Sequence, residues 1–341
     1  MRTTDVPPPA PERACGNADF AGRYLVRAAI TAPSMHNTQP WRFVSHHDRL
    51  ELYADLSRPL RVSDPAGREM TISCGAALFN IRMAIRHLGF VPRIRLLPDP
   101  ARPDLLADVQ WGSYARPTPS DDLLYRAMRR RHTHRGPFDT VPVSPWLVGD
   151  LCDAARRQRA ALHPVRDAGE RRMLAQLVRI AELAQQADRR FVRERVRWAA
   201  PPEVERPDGI PASAYPIQPD GLPFTTRDYA TGAPWGFPLR PRRQDPRLIG
   251  TVAVLTTLSD RRLDWLLAGQ ALQHVLLYAT AHGIKVAFHT QPLELPDLRA
   301  EIRAQLFGRS AHPQLILRFG HTSRVLITPR RAVTDVLLEH A

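Results

Sequence analysis

Lysine is nearly missing from this chain. Lys285 is the only one among 48 basic residues, so the net charge of +14 is arginine spread along the sequence. That dispersion argues against a concentrated basic tail of the kind that grips nucleic acid. Cysteine is scarce as well: Cys15, Cys74 and Cys152 are odd in number and never in CxxC spacing. A disulfide or zinc framework is thereby excluded, and reduced thiols in a cytoplasmic protein are expected. The apolar stretch 263–278 is broken by Asp, Gln and His, so no membrane span is expected. Residues 1–13 are polar and proline-rich, without the apolar centre of a secretory signal. Four common catalytic fingerprints are also absent: GxGxxG, GxxxxGK[ST], GxSxG and HExxH.

What is present begins with an echo. Gly75-Ala76-Ala77-Leu78, running on to Leu88-Gly89, returns as Gly269-Gln270-Ala271-Leu272, running on to His282-Gly283, at one offset of 194 residues. Each copy reads as an apolar helix stopped by glycine and followed by a strand, over 91–97 and 285–289, which suggests a duplicated unit. Residues 1–18 read as a disordered tail. A first half spans 19–118, with a helix over 20–31, strands over 41–45 and 49–54, a helix over 71–88, and strands over 94–97 and 106–112. The second half spans 119–341. Its helices are expected at 121–131, 145–158, 170–198, 263–282 and 298–306, and its strands at 251–257, 285–289 and 314–318. Between about 200 and 247 the periodicity stops, and eleven of the chain's 33 prolines fall within 201–246. An irregular segment of that length inside a compact domain reads as a lid or binding loop. Helices and short strands alternate without βαβ spacing, which predicts an α+β layered fold.

Four motifs could carry chemistry. Ala32-Pro33-Ser34-Met35-His36-Asn37-Thr38-Gln39-Pro40-Trp41 joins a helix end to a polar turn that can present donors and acceptors to a planar heterocycle; a plain Asn/Ser turn before a core Trp is as good a reading. Arg130-Arg131-His132-Thr133-His134-Arg135 can receive a dianionic phosphate, or can simply be a basic helix end. Thr328-Pro329-Arg330-Arg331 offers more phosphate contacts or a basic turn. Phe288-His289-Thr290-Gln291-Pro292 ends a strand where backbone N–H groups can face a ligand. No metal is expected at His132 and His134, which arginines flank and no carboxylate joins. The run 189–197 reads as a solvated basic helix face, with any non-specific DNA affinity a by-product.

Together these motifs resemble the flavin-dependent nitroreductase family, most closely its fused Acg-like branch. The resemblance covers roughly residues 20–115, 120–200 and 248–338, and APSMHNTQPW is its most specific part. It implies a nitroreductase-like α+β fold of two fused pseudo-symmetric halves, an intramolecular pseudo-dimer, with one FMN per chain. Pro33, Ser34, Met35 and Asn37, with Gln39, match the segment laid against the isoalloxazine ring. Arg131, His132 and Thr133 match the phosphate segment, and Arg330 or Arg331 the C-terminal cation on the phosphate. Thr290 and Gln291 match the strand end whose N–H faces flavin N5. No side chain is assigned as catalytic, because flavin carries the redox chemistry. Each charge-assisted bond to the phosphate is worth about 1.5 to 3 kcal/mol when desolvated. The implied activity is hydride transfer from NAD(P)H through N5 to an acceptor, a small aromatic or quinone-like molecule. Neither an Arg-x-Ser-x-Arg segment in the first half nor a second APSxxN is found, so the twin site is expected to be vacant. The proline-rich insert leaves a flavin-storing protein with a closed lid as the alternative, and a basic nucleic-acid-binding protein as the remote one.

Overall fold

Helix starts and stops follow the punctuation of the sequence. The computed structural model describes residues 18–200, 205–215, 223–224, 226–229 and 249–339. Of the tail expected at 1–18, all but Ala18, which opens the first helix, lies outside the described residues, as does most of the insert. Helix α1 (Ala18–Ala29) ends ahead of Pro33 and leads into strands β1 (Trp41–Ser45) and β2 (Arg49–Ala54). Next come α2 (Arg68–His87), β3 (Phe90–Leu96), β4 (Leu105–Tyr114) and α3 (Pro119–Ala127), the last closed by a capping box between Thr118 and Asp121. Helix α4 (Pro145–Arg156) and β5 (Ala161–Pro164) precede α5 (Ala168–Ala187) and α6 (Arg189–Trp198). The short strands β6 (Ala199–Ala200) and β7 (Ile210–Pro211) pair with each other across part of the insert. Then follow β8 (Thr251–Thr257), α7 (Arg262–Ala281), β9 (Lys285–Phe288), α8 (Pro296–Phe307), β10 (His312–Gly320) and β11 (Leu337–Glu339).

The helix expected over 170–198 is two helices. Asp188 closes α5 in extended backbone and caps α6 by accepting from Arg190 N, which a helical Asp does poorly and an N-cap Asp does well. Strands β5 and β11 were not expected; they have four and three residues, too few for a period to show. Besides the β6–β7 pair, the described residues form two larger sheets, β11-β1-β2-β4-β3 and β5-β8-β10-β9. The second is antiparallel throughout. In the first, β11 lies parallel to β1 with Leu337 opposite Phe43. The half drawn at 119–341 therefore gives its last strand to the other half's sheet, where Val336 and Leu337 join the first core and cover the edge of β1.

Helices α2 and α7, each of 20 residues, cross at the echoing glycines. A Cβ on Gly75 would stand 2.2 Å from the Leu266 carbonyl oxygen, and one on Gly269 would stand 2.0 Å from that of Ile72. Only glycine allows backbones this close. One turn further, Phe79 stacks on His274 at 5.0 Å, and Gln273 Nε2 donates to Asn80 Oδ1 at 2.7 Å. Exchanging residues 194 apart turns each of these contacts into its neighbour, as across a two-fold axis. The fold is thus α+β, with two pseudo-symmetric halves packed through one helix pair. Helix α1 lies on α2 in the first core, and α4 lies on α7 in the second.

Candidate functional site

The turn after α1 is strained and held from outside. His36, Asn37 and Gln39 have φ of 49°, 55° and 49°, backbone that side chains other than glycine rarely adopt. Ser34 Oγ accepts from Gln39 N at 2.9 Å. Asn37 Nδ2 donates to the carbonyls of Gly209 and Pro329, while Arg330 donates to its Oδ1. Gln39 Nε2 donates to Pro207 O at 2.8 Å, and its Oε1 accepts from Arg331 N at 2.8 Å. The two amides therefore fix the turn between the insert and the C-terminal segment.

On the other side of this turn lies a partly enclosed cavity. Pro33, Ser34, Met35 and His36 line it from the turn, and Glu69, Ile72, Ser73 and Leu272 from the crossed helices. Thr133, His134 and Arg135 form a third wall, with Phe288, Thr290 and Leu315 from the second sheet. Thr226, Arg227 and Tyr229 of the insert complete it. The Thr133 wall is hung on the sheet, since Thr133 bridges to Val286 and His134 N donates to Val286 O at 2.9 Å.

Beside the cavity three guanidiniums gather without a carboxylate in their recorded pairs among the described residues. Arg131, which is buried, donates to Thr31 O at 3.1 Å, and Arg330 donates to the same oxygen at 3.4 Å. The Nε atoms of both are buried with no partner. Arg135 donates to Ala214 O at 3.1 Å. Burial, then the neighbouring Arg330 and Arg135, pull Arg131 down to about 9; burial, then Arg135, pulls Arg330 down to about 10. Burial lowers Arg135 too. A cluster of this kind is costly until an anion arrives. Burial and the nearby arginines also hold His132 and His134 at about 4, so both rings are neutral at pH 7. Among the described residues no group of three or more His, Cys, Asp or Glu could hold a metal ion, and no helix is long and apolar enough to cross a membrane.

Comparison with known proteins now adds to the geometry. A protein of Mycobacterium tuberculosis H37Rv named "Putative NAD(P)H nitroreductase Rv3131" is 32% identical over 319 residues, covering 92% of this chain and 90% of its own. Another from the same strain, named "Putative NAD(P)H nitroreductase acg", is 30% identical over 317 residues, covering 91% and 93%. The chain belongs to the nitroreductase family. Within that family of oxidoreductases it falls in the Acg-like branch. No protein-family model matches it. A solved FMN-bound nitroreductase of Bacteroides fragilis aligns at 12% identity with a TM-score of 0.37, over 61% of this chain and 93% of that one, a likeness too slight to carry an argument.

In this nitroreductase-family chain, Pro33, Ser34, Met35, Thr133 and Thr290 all reach the cavity. Arg131 and Arg330, 199 positions apart, meet at Thr31 O. His132 is half-buried next to Arg131 and does not line the cavity. Asn37 and Gln39 do not line it either, because their amides are spent on the insert and the C-terminal segment. Gln291 turns away to α5, where its Nε2 donates to Glu182 Oε2 at 3.5 Å. Arg331 pairs with Asp55 at 3.4 Å and donates to Asp335 O, so of the two C-terminal arginines Arg330 is the one in the cluster. The sequence reading missed His36, Arg135 and Tyr229. Two of them sit inside quoted motifs, but Tyr229 comes from the insert, 193 positions from the His36 ring it touches.

Proposed function

We propose that this chain binds FMN in the cavity and uses it to carry hydride from NAD(P)H to a small aromatic or quinone-like acceptor. The observation that supports this most is the trio of Arg131, Arg135 and Arg330, of which Arg131 and Arg330 keep spare buried donors that suit a phosphate. The walls suit the rest of the molecule: Ile72, Leu272, Leu315 and Phe288 are apolar and fit a flat ring, and Ser34, Thr133 and Thr290 add hydroxyls at its edges. Bound FMN supplies a ring that takes up and gives back hydride. The protein's share is to hold and shield. Arg131 and Arg330 would neutralise the phosphate, the 33–36 turn and Thr290 would line the ring, and the insert residues 226–229 would keep water off it. We read residues 19–118 and 119–341 as the two fused halves, the second lending its last strand to the sheet of the first. The working unit would be a single chain as pseudo-dimer.

The test is the spectrum of protein purified without added cofactor. Yellow protein that NADH or NADPH bleaches anaerobically is the expected result; colourless protein that takes up no FMN would defeat the reading. Storage of flavin is the second reading, favoured by the number of insert contacts over the cavity: Tyr229 to His36, Gly209 to Asn37 and Ala214 to Arg135. Yellow protein that neither nicotinamide bleaches would select it.

A further inference from the structure

His36 stands in a wall between two cavities. It lines the main cavity, and it also lines a second, far smaller one, with room for about one water molecule, whose other walls include Gln185, Glu194 and Arg195. Its Nδ1 lies 2.8 Å from the hydroxyl of Tyr229, an insert residue that also lines the main cavity. The rings meet edge to face, 5.7 Å apart at 85°. Both residues are buried, and His36 holds left-handed backbone that a solvent-facing turn residue would have no reason to keep. We propose that Tyr229 and His36 form a proton-delivery pair for the acceptor, fed from the small cavity behind the imidazole.

The inference rests on the flavin reading above and adds the proton that hydride transfer leaves owing. A quinone takes a hydride, two electrons with one proton, from the reduced flavin at one end. Its other oxygen takes the Tyr229 O–H proton. The tyrosinate oxygen regains a proton from His36 Nδ1 as His36 Nε2 takes one that solvent hydronium delivers through the small cavity, so each turnover draws one proton from bulk solvent and leaves no hydroxide behind. Quinone leaves as hydroquinone, and the imidazole has exchanged one tautomer for the other. Such a relay needs a neutral imidazole and a protonated phenol. Burial, then Arg227, Arg195 and Arg135, hold His36 well below its ordinary value, and burial holds Tyr229 above its own. The acceptor class follows: a molecule whose reduction takes up a proton on oxygen, such as a quinone or a nitroarene, in place of a one-electron metal complex.

The experiment uses the full chain with its flavin and 1,4-benzoquinone. Tyr229→Phe removes one hydroxyl from the cavity wall. With bound flavin matched between the two proteins and reduced by dithionite, reoxidation by benzoquinone should slow by roughly 100-fold per flavin and lose its solvent deuterium isotope effect. His36→Asn, a residue that tolerates left-handed backbone, should give the same pair of changes. In the flavin-free protein, 15N spectra of labelled histidine should show His36 neutral at pH 6 with the proton on Nδ1. Unchanged reoxidation with an intact isotope effect in both variants overturns the proposal, and so does a charged His36 at pH 6. Colourless protein would defeat the flavin reading instead, and the histidine spectra would still judge the pair.

Discussion

The end of α1 and the end of α4 occupy matching places against the crossed helices. At the first, Asn80 of α2 donates to Ala28 O and Thr31 Oγ1, and the Thr31 carbonyl receives Arg131 and Arg330 from two distant segments. At the second, His274, 194 positions on, meets Gln158, and Gln158 receives Arg82 at 2.6 Å. The difference lies in what each guanidinium has left to give. The same nitrogen of Arg82 also reaches Gln270 Oε1 at 2.7 Å, and its head lies 5.5 Å from the Phe79 ring. Arg131 and Arg330 keep buried Nε donors with nothing to meet. An enclosed cation marks a binding site when its donors are unspent; a cation capped by amide oxygens is part of the packing.

The comparison stands on the helix crossing, so the largest effect should come from breaking it. Gly269→Ala would place a methyl group 2.0 Å from Ile72 O, and Gly75→Ala one 2.2 Å from Leu266 O, both against backbone that cannot move aside. Overpacking of this kind costs roughly 3 kcal/mol or more, read as a fall in the urea midpoint. Equal losses in the two variants are expected, because the contacts exchange across the pseudo-axis. Loss in one alone would show that the two helix ends are not equivalent.

The two arginine settings should separate next. Arg131→Met should weaken FMN binding roughly 10- to 100-fold in a fluorescence titration, by removing one charge-assisted contact. It should leave the flavin-free protein no less stable, since it removes a buried charge that lacks a counter-ion. Arg82→Met should do the reverse: roughly 1–3 kcal/mol of stability lost through the abandoned oxygens of Gln158 and Gln270, with FMN affinity untouched. Two variants that behave alike would erase the distinction drawn here.

How far the sequence foretold these sites depends on whether the information is local. The helices announced themselves by period and by their glycine stops, and the 194-residue echo foretold that α2 and α7 are counterparts. The 32–41 turn and the 130–135 segment were recognisable as motifs. Direction was not. Asn37, Gln39, Gln291 and Arg331 belong to motifs that frame the cavity, yet their side chains serve the insert, α5 and Asp55. Nothing in a motif says which way a side chain turns once three segments converge on it. Nor could a three-residue strand at 337–339, or the pairing of Tyr229 with His36, be seen before the chain was folded.

Proton linkage sharpens the arginine comparison further. In the flavin-free protein Arg131 sits near 9 and Arg330 near 10. A bound phosphate favours the charged guanidinium and raises both values. Between pH 7 and 9 the arginines are already charged in both states, so affinity should be flat. Above about 9 binding must take up protons, and affinity should fall by up to about tenfold per pH unit for each proton. Arg330→Met should flatten that fall above pH 10. An affinity indifferent to pH from 8 to 10.5 would mean that Arg131 is not at the phosphate.

The smallest effect concerns Asn37, where a ring contact and a clamp on the insert can be told apart. Its amide donates to Gly209 O and Pro329 O, its Oδ1 accepts from Arg330, and its own carbonyl accepts from Gly209 N at 3.2 Å. Asn37→Gly keeps the left-handed backbone and deletes the amide, so its consequence is confined to those side-chain bonds. Each is worth about 1 kcal/mol. Hydrogen exchange at Gly209 should therefore quicken by roughly fivefold for each bond lost, while FMN affinity changes far less than in Arg131→Met. If affinity instead falls as far as it does without Arg131, the amide reaches the flavin when the cofactor is bound. The turn would then belong with the guanidinium cluster as part of the binding surface. Fast exchange with nearly full affinity places it with Arg82, among residues that hold the molecule in shape.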